Sequence, residues 1–126
     1  MSEGKRILVV DDEEILRMLI ADTLSFEGYE VEEAADGQEG FDKAAAGGYD
    51  AILLDYMMPK LTGPEVLEQL APLQLGIPVI MLTAKAQASD RELAQRLGAD
   101  YFMPKPFSPA ELVALVQQVL EDPIRQ

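Results

Sequence analysis

The stretch Ile7-Leu8-Val9-Val10-Asp11-Asp12-Glu13-Glu14 sets four apolar residues directly against four acids. An aliphatic run with no polar alternation reads as a strand buried on both faces, the kind found inside a parallel sheet. The acids mark the point where the chain leaves that strand. Two runs of the same kind follow: Ala51-Ile52-Leu53-Leu54 before Asp55, and Val79-Ile80-Met81-Leu82 before Thr83. Weaker strand-type segments span Tyr29 to Glu33 and Tyr101 to Met103.

Between the strands the apolar period changes from two to about 3.6. Ile15, Leu16, Leu19, Ile20 and Leu24 fall on one helical face, and Leu112, Val113, Val116, Val119 and Leu120 on another; both are read as core faces. Helix starts are marked by Asp36 with Glu39, Ser89 with Glu92, and Ser108 with Glu111, the last followed by Pro109 at the first helical position. Pro59 and Gly63 shape a loop before a helix expected from Pro64, and Gly28, Gly47 with Gly48, and Gly98 mark stops.

Five strand–helix units in succession, joined by right-handed crossovers, predict an α/β fold: a doubly wound five-stranded parallel sheet in order 2-1-3-4-5, flavodoxin-like. With 126 residues, 48% hydrophobic, the expectation is one domain over 1–126, with its core from about residue 5 to 122. The functional crevice of such a sheet lies beyond the carboxyl ends of the strands, between the first and third.

Composition narrows the chemistry. With 23 acidic and 10 basic side chains and a net charge of −13, the chain repels a phosphate backbone, so no direct nucleic-acid binding is expected. The absence of cysteine and histidine removes thiolate and imidazole metal sites, a histidine base and a phosphohistidine carrier. Carboxylates are left as ligands for a hard cation. No apolar run has membrane-spanning length, and a cytoplasmic location is expected.

Asp11, Asp12, Asp55, Thr83 and Lys105 all follow strands and open on one rim. Three carboxylates in one cleft repel one another unless a cation relieves them. Mg²⁺, held by one or two carboxylates plus a substrate phosphate, suits the cleft, with Mn²⁺ as the alternative ion. Lys105 supplies a point charge and Thr83 a hydroxyl donor for phosphoryl oxygens. Asp55 is the carboxylate best placed as nucleophile, forming an aspartyl phosphate. Glu13 and Glu14 are read more plainly, as acids complementing a helix dipole. Met58 and Met81 are assigned to packing rather than to a soft-metal site.

Taken in order, Ile7-Leu-Val-Val-Asp-Asp12, Leu53-Leu-Asp-Tyr-Met-Met-Pro59 with Gly63, Leu82-Thr-Ala84 and Lys105-Pro-Phe107 resemble the receiver domain of two-component response regulators. Four such motifs at the ends of the expected strands make the resemblance specific, and it spans nearly the whole chain. It implies that Asp55 accepts a phosphoryl group from a phosphohistidine of a histidine kinase or a histidine phosphotransfer protein. It further implies Mg²⁺ on Asp11, Asp12, Asp55 and the Met57 backbone carbonyl, with Thr83 and Lys105 on the phosphoryl group, and a cis bond before Pro106. Thr83 and Phe102 would form the switch. Phe102 stands where many receivers carry tyrosine and has no hydroxyl, so it would act by steric fit. Met57 and Lys85 occupy positions that tune phosphate lifetime. The signal would leave through a downstream protein target on the fourth helix, fifth strand and fifth helix. The domain would be a monomer or a weak phosphorylation-dependent dimer, and not an enzyme beyond its own phosphorylation and dephosphorylation.

Three other readings fit less well. A flavin module would place phosphate in the first loop, which is Asp-Asp-Glu-Glu here. A phosphatase of the haloacid dehalogenase type resembles an Asp-x-Asp signature, absent from Asp55-Tyr56-Met57. A degenerate interaction protein would lack a member of the acid, threonine and lysine set. The residues after Pro123 leave no room for an output domain, so a stand-alone regulator is expected over a receiver cut from a longer regulator or hybrid kinase.

Overall fold

A computed structural model of the chain describes residues 4–84 and 88–121. Elements alternate along it as β1 (Arg6–Val10), α1 (Glu14–Phe26), β2 (Glu30–Ala34), α2 (Gly37–Ala46), β3 (Ala51–Asp55), α3 (Gly63–Leu70), β4 (Val79–Thr83), α4 (Ala88–Arg96), β5 (Tyr101–Pro104) and α5 (Pro109–Glu121). The five strands pair in parallel in the order 2-1-3-4-5, as the alternation of patterns requires.

Alternation within the apolar strands builds two cores from one sheet. Ile7 and Val9 face α1 and α5, joining Ile20, Leu24, Leu112 and Val116. Leu8 and Val10 face the other way, toward α3 with Val66 and Leu67. Each fully buried aliphatic side chain contributes roughly 1.5–3 kcal/mol, so strands apolar on both faces are what hold the three layers together.

The expected ends mostly hold. Asp36 accepts the Glu39 amide at the start of α2, and Ser108 and Glu111 cap α5 reciprocally, at 3.1 and 2.8 Å. α3 begins at Gly63, one residue before Pro64, because Thr62 and Glu65 form a capping box that the pattern reading passed over. α4 starts at Ala88, ahead of the expected cap at Ser89. Gly28, at φ +97°, takes the left-handed conformation that ends α1.

One core face needs correction. Ile20 and Leu24 of α1 are fully buried, but Ile15 is 83% exposed and Leu19 51%. The stripe from Ile15 to Leu24 is wider than the face the sheet covers, so its outer members stand in solvent beside Met18 and Phe26.

Candidate functional site

The carboxyl ends of β1, β3, β4 and β5 converge because parallel register places them level. Asp55 ends β3 opposite Leu82, and Thr83 ends β4 opposite Pro104. Lys105 follows at once, and its amide donates to the Thr83 carbonyl at 2.9 Å. A cleft of about 520 Å³ opens there, lined by Asp12, Asp55, Met57, Thr83 and Lys105, with Glu13, Tyr56 and Ala84 beside them.

Asp11 is fully buried at the floor. Its amide donates to Ala34 at 3.1 Å, its Oδ1 accepts the Glu13 amide at 2.8 Å, and its carbonyl accepts Arg17 at 2.7 Å. Asp12 is exposed at the mouth. Asp11, Asp12 and Asp55 each present a carboxylate oxygen, all within 4.8 Å of one another, a spacing that one divalent cation can bridge.

Lys105 is the counter-charge among the described residues. Its Nζ lies 3.0 Å from Asp55 Oδ1, 3.4 Å from Asp11 Oδ2 and 3.3 Å from Glu13 Oε1. Burial of Lys105 acts to lower its pKa, but the bond to Asp55 and the charges of Asp11 and Asp55 outweigh it and raise the value. Asp55 is pushed up to about 6 by burial first and by the charge of Asp11 second, against the pull of Lys105. Burial likewise raises Asp11, against the Glu13 amide and Lys105. Two adjacent carboxylates are thus held in a state that favours a bound cation.

The sequence missed Glu13 as part of this site. It lies at the N-cap of α1, yet its side chain makes no cap bond; its carboxylate reaches Lys105 instead. Its place directly after the acid pair was the available signal, and the dipole reading masked it. Glu14, in the first turn, fits that plainer reading. Arg17 was also missed, and it braces the loop through Asp11 and through Glu33 at 3.0 Å.

Met57 is exposed at the mouth, while Met58 and Met81 are buried as packing. Phe102 is half-buried against the α3 side of the core, with the Arg91 guanidinium 5.0 Å from its ring centroid. The Lys105–Pro106 bond is cis. Lys85 lies outside the described residues.

The response regulator receiver domain family model matches residues 7–117, and the chain belongs to that family. It is 48% identical over 117 residues to the alkaline phosphatase synthesis transcriptional regulatory protein PhoP of Bacillus subtilis, covering 93% of this chain and 49% of that protein. The chain thus spans about half the length of the curated relatives it matches. Among solved structures, a CheY-like receiver domain from Methanospirillum hungatei superposes with a TM-score of 0.88 at 35% identity, covering 94% of each chain. The receiver domain of the sensor histidine kinase PA1611 from Pseudomonas aeruginosa superposes at 0.85 with 34% identity, covering 93% of this chain and 98% of that one, and carries a magnesium ion coordinated in its active site cleft. This chain is therefore a receiver domain of two-component signal transduction, with a carboxylate cluster suited to a divalent cation.

Proposed function

We propose that this domain accepts a phosphoryl group on Asp55 from a phosphohistidine of a histidine kinase or histidine phosphotransfer protein. The observation that carries the reading is the Asp55 carboxylate, held 3.0 Å from Lys105 and within 4.8 Å of Asp11 and Asp12 oxygens. An Asp55 oxygen attacks phosphorus, the nitrogen–phosphorus bond of the donor breaks, and the imidazole leaves with its electron pair. Lys105 then follows the charge from the carboxylate to a phosphoryl oxygen, and Thr83 at the end of β4 can donate to another. Asp11, Asp12, Asp55 and the Met57 carbonyl would hold Mg²⁺, or Mn²⁺ in its place, which would supply charge neutralisation for the oxygens of the transferring group. Water later cleaves the acyl phosphate, so the domain catalyses only its own phosphorylation and dephosphorylation.

Exposed Ile15, Met18 and Leu19 stand on the helix that begins at the cleft, and they offer the donor an apolar surface. The signal leaves through α4, β5 and α5 as Thr83 at the end of β4 and Phe102 on β5 change position, toward a downstream protein rather than nucleic acid. A cytoplasmic location is part of this proposal; no helix among the described residues is long and apolar enough to cross a membrane.

Intact mass after incubation with acetyl phosphate and Mg²⁺ tests the reading. A gain of one phosphoryl group, lost with Asp55→Asn and with a chelator, is expected. No gain from a folded, Mg²⁺-binding protein would overturn it.

A further inference from the structure

The acidic cleft is not the largest hollow on this surface. A groove of about 640 Å³ runs between α1 and α5, with Thr23, Phe26, Pro109, Ala110, Val113 and Ala114 along it and the acids Asp22 and Glu27 at its sides. Phe26 is 89% exposed. A single exposed phenylalanine needs no explanation, but this one extends the stripe of Ile15, Met18 and Leu19 into an apolar groove.

Among the described residues, the charged side chains that line the groove, Asp22 and Glu27, are both acidic. α5 contains no lysine or arginine, and carries Glu111 and Glu121. The only cation of α1 is Arg17, whose guanidinium is engaged by Glu33 and the Asp11 carbonyl. A second copy of the chain, at net charge −13, would bring acids against acids, and nucleic acid or an anionic membrane would be repelled in the same way.

We propose that the groove between α1 and α5 binds a cationic amphipathic helix of a partner protein. Aliphatic anchors at positions i, i+3, i+4 and i+7 would fill the trough over Phe26 and Val113, and flanking lysines or arginines would meet Asp22 and Glu27. Phe26 lies twelve residues beyond Glu14, about 18 Å along α1, so this contact is separate from chemistry at Asp55.

The test uses a synthetic helical peptide of leucine and lysine with its leucines on one face, and a scrambled peptide of equal composition, each titrated into the ¹⁵N-labelled domain. Shifts should centre on Thr23, Phe26, Val113 and Gln117, with the scrambled peptide at least tenfold weaker. Phe26→Glu adds an acid, so attraction by charge alone would tighten binding, whereas the groove predicts at least a tenfold loss. Tighter or unchanged binding, equal binding of the scrambled peptide, or shifts centred on the Asp55 cleft would overturn the proposal. So would self-association that Phe26→Glu abolishes, which would give the groove to a second copy. Phe26→Glu should still gain a phosphoryl group from acetyl phosphate, so failure here is distinct from failure of the phosphorylation reading.

Discussion

Lys105 and Asp55, fifty residues apart in the chain, meet with Nζ 3.0 Å from Oδ1, and this contact sets a cation against a carboxylate of the cluster suited to a metal ion. The ammonium and a divalent ion draw on the same carboxylates, Asp11 and Asp55. Removing the lysine therefore relieves repulsion of the metal while removing a partner of the phosphoryl group. At about 4 Å in water-like surroundings the repulsion is worth roughly 1 kcal/mol per unit charge. Lys105→Ala should bind Mg²⁺ about five- to thirtyfold more tightly by calorimetric titration, yet gain phosphate from acetyl phosphate more slowly. Weaker Mg²⁺ binding would show that Lys105 organises the cluster rather than competing for it.

Glu13 predicts the opposite sign. Its carboxylate holds Lys105 at 3.3 Å from the exposed side of the cleft. Glu13→Gln loses a nearby negative charge and leaves Lys105 to Asp11 and Asp55. Solvent screens an exposed acid, so Mg²⁺ affinity should fall only about two- to threefold. A gain in affinity would remove Glu13 from the account of the site.

The raised pKa of Asp55 makes stability depend on pH in a definite direction. Its folded value of about 6 lies above the ordinary 3.8, so between those values the folded state holds a proton that the unfolded state has released. Without metal, stability falls as pH rises through that window, by about 2–3 kcal/mol in all, and stays low above it. Asp55→Asn should therefore unfold at higher urea than wild type at pH 7.5 in chelator, with the gap shrinking toward pH 5. Saturating Mg²⁺ should close the gap for wild type. Equal midpoints in chelator at pH 7.5 would mean that Asp55 carries no such penalty.

Much of the molecule was legible because strand and site share a signal. Runs such as Ile7 to Val10 and Ala51 to Leu54 are buried on both faces, and each ends on an acid that parallel register brings to the common rim. Local chemistry carried the caps at Asp36 and Ser108 as well. What sequence could not carry was side-chain direction where two roles compete. Glu13 has the residue type of a helix-dipole acid, and only the approach of Lys105 from 92 residues away gives it another partner. The width of the apolar stripe on α1 likewise says nothing of how much of it the sheet covers.

That stripe yields a stability test. Ile15 and Ile20 both match the helical period, yet one is 83% exposed and the other fully buried. Ile15→Lys should change unfolding free energy by less than about 0.5 kcal/mol, as surface substitutions do. Ile20→Ala should cost about 2–5 kcal/mol from lost burial and the cavity left behind. A large cost at Ile15 would restore it to the core that periodicity assigned.

Gly63 links the fold to the site by close approach rather than by unusual backbone angles. Its amide donates to the Tyr56 carbonyl at 2.8 Å, closing the loop that follows Asp55. A Cβ there would stand 2.5 Å from the Asp55 carbonyl oxygen, 3.0 Å from the Met81 sulfur and 3.1 Å from the Tyr56 Cα. The methionine can yield, but the backbone of Asp55 and Tyr56 is fixed by the sheet, since the Tyr56 amide donates to Leu82 at 2.9 Å. Gly63→Ala should therefore cost about 1–3 kcal/mol by overpacking. It should also weaken Mg²⁺ binding, because the strain falls on the peptide groups that carry the Asp55 carboxylate and lead to Met57. Lost stability with unchanged Mg²⁺ affinity would mean that α3 shifts as a body and leaves the end of β3 in place.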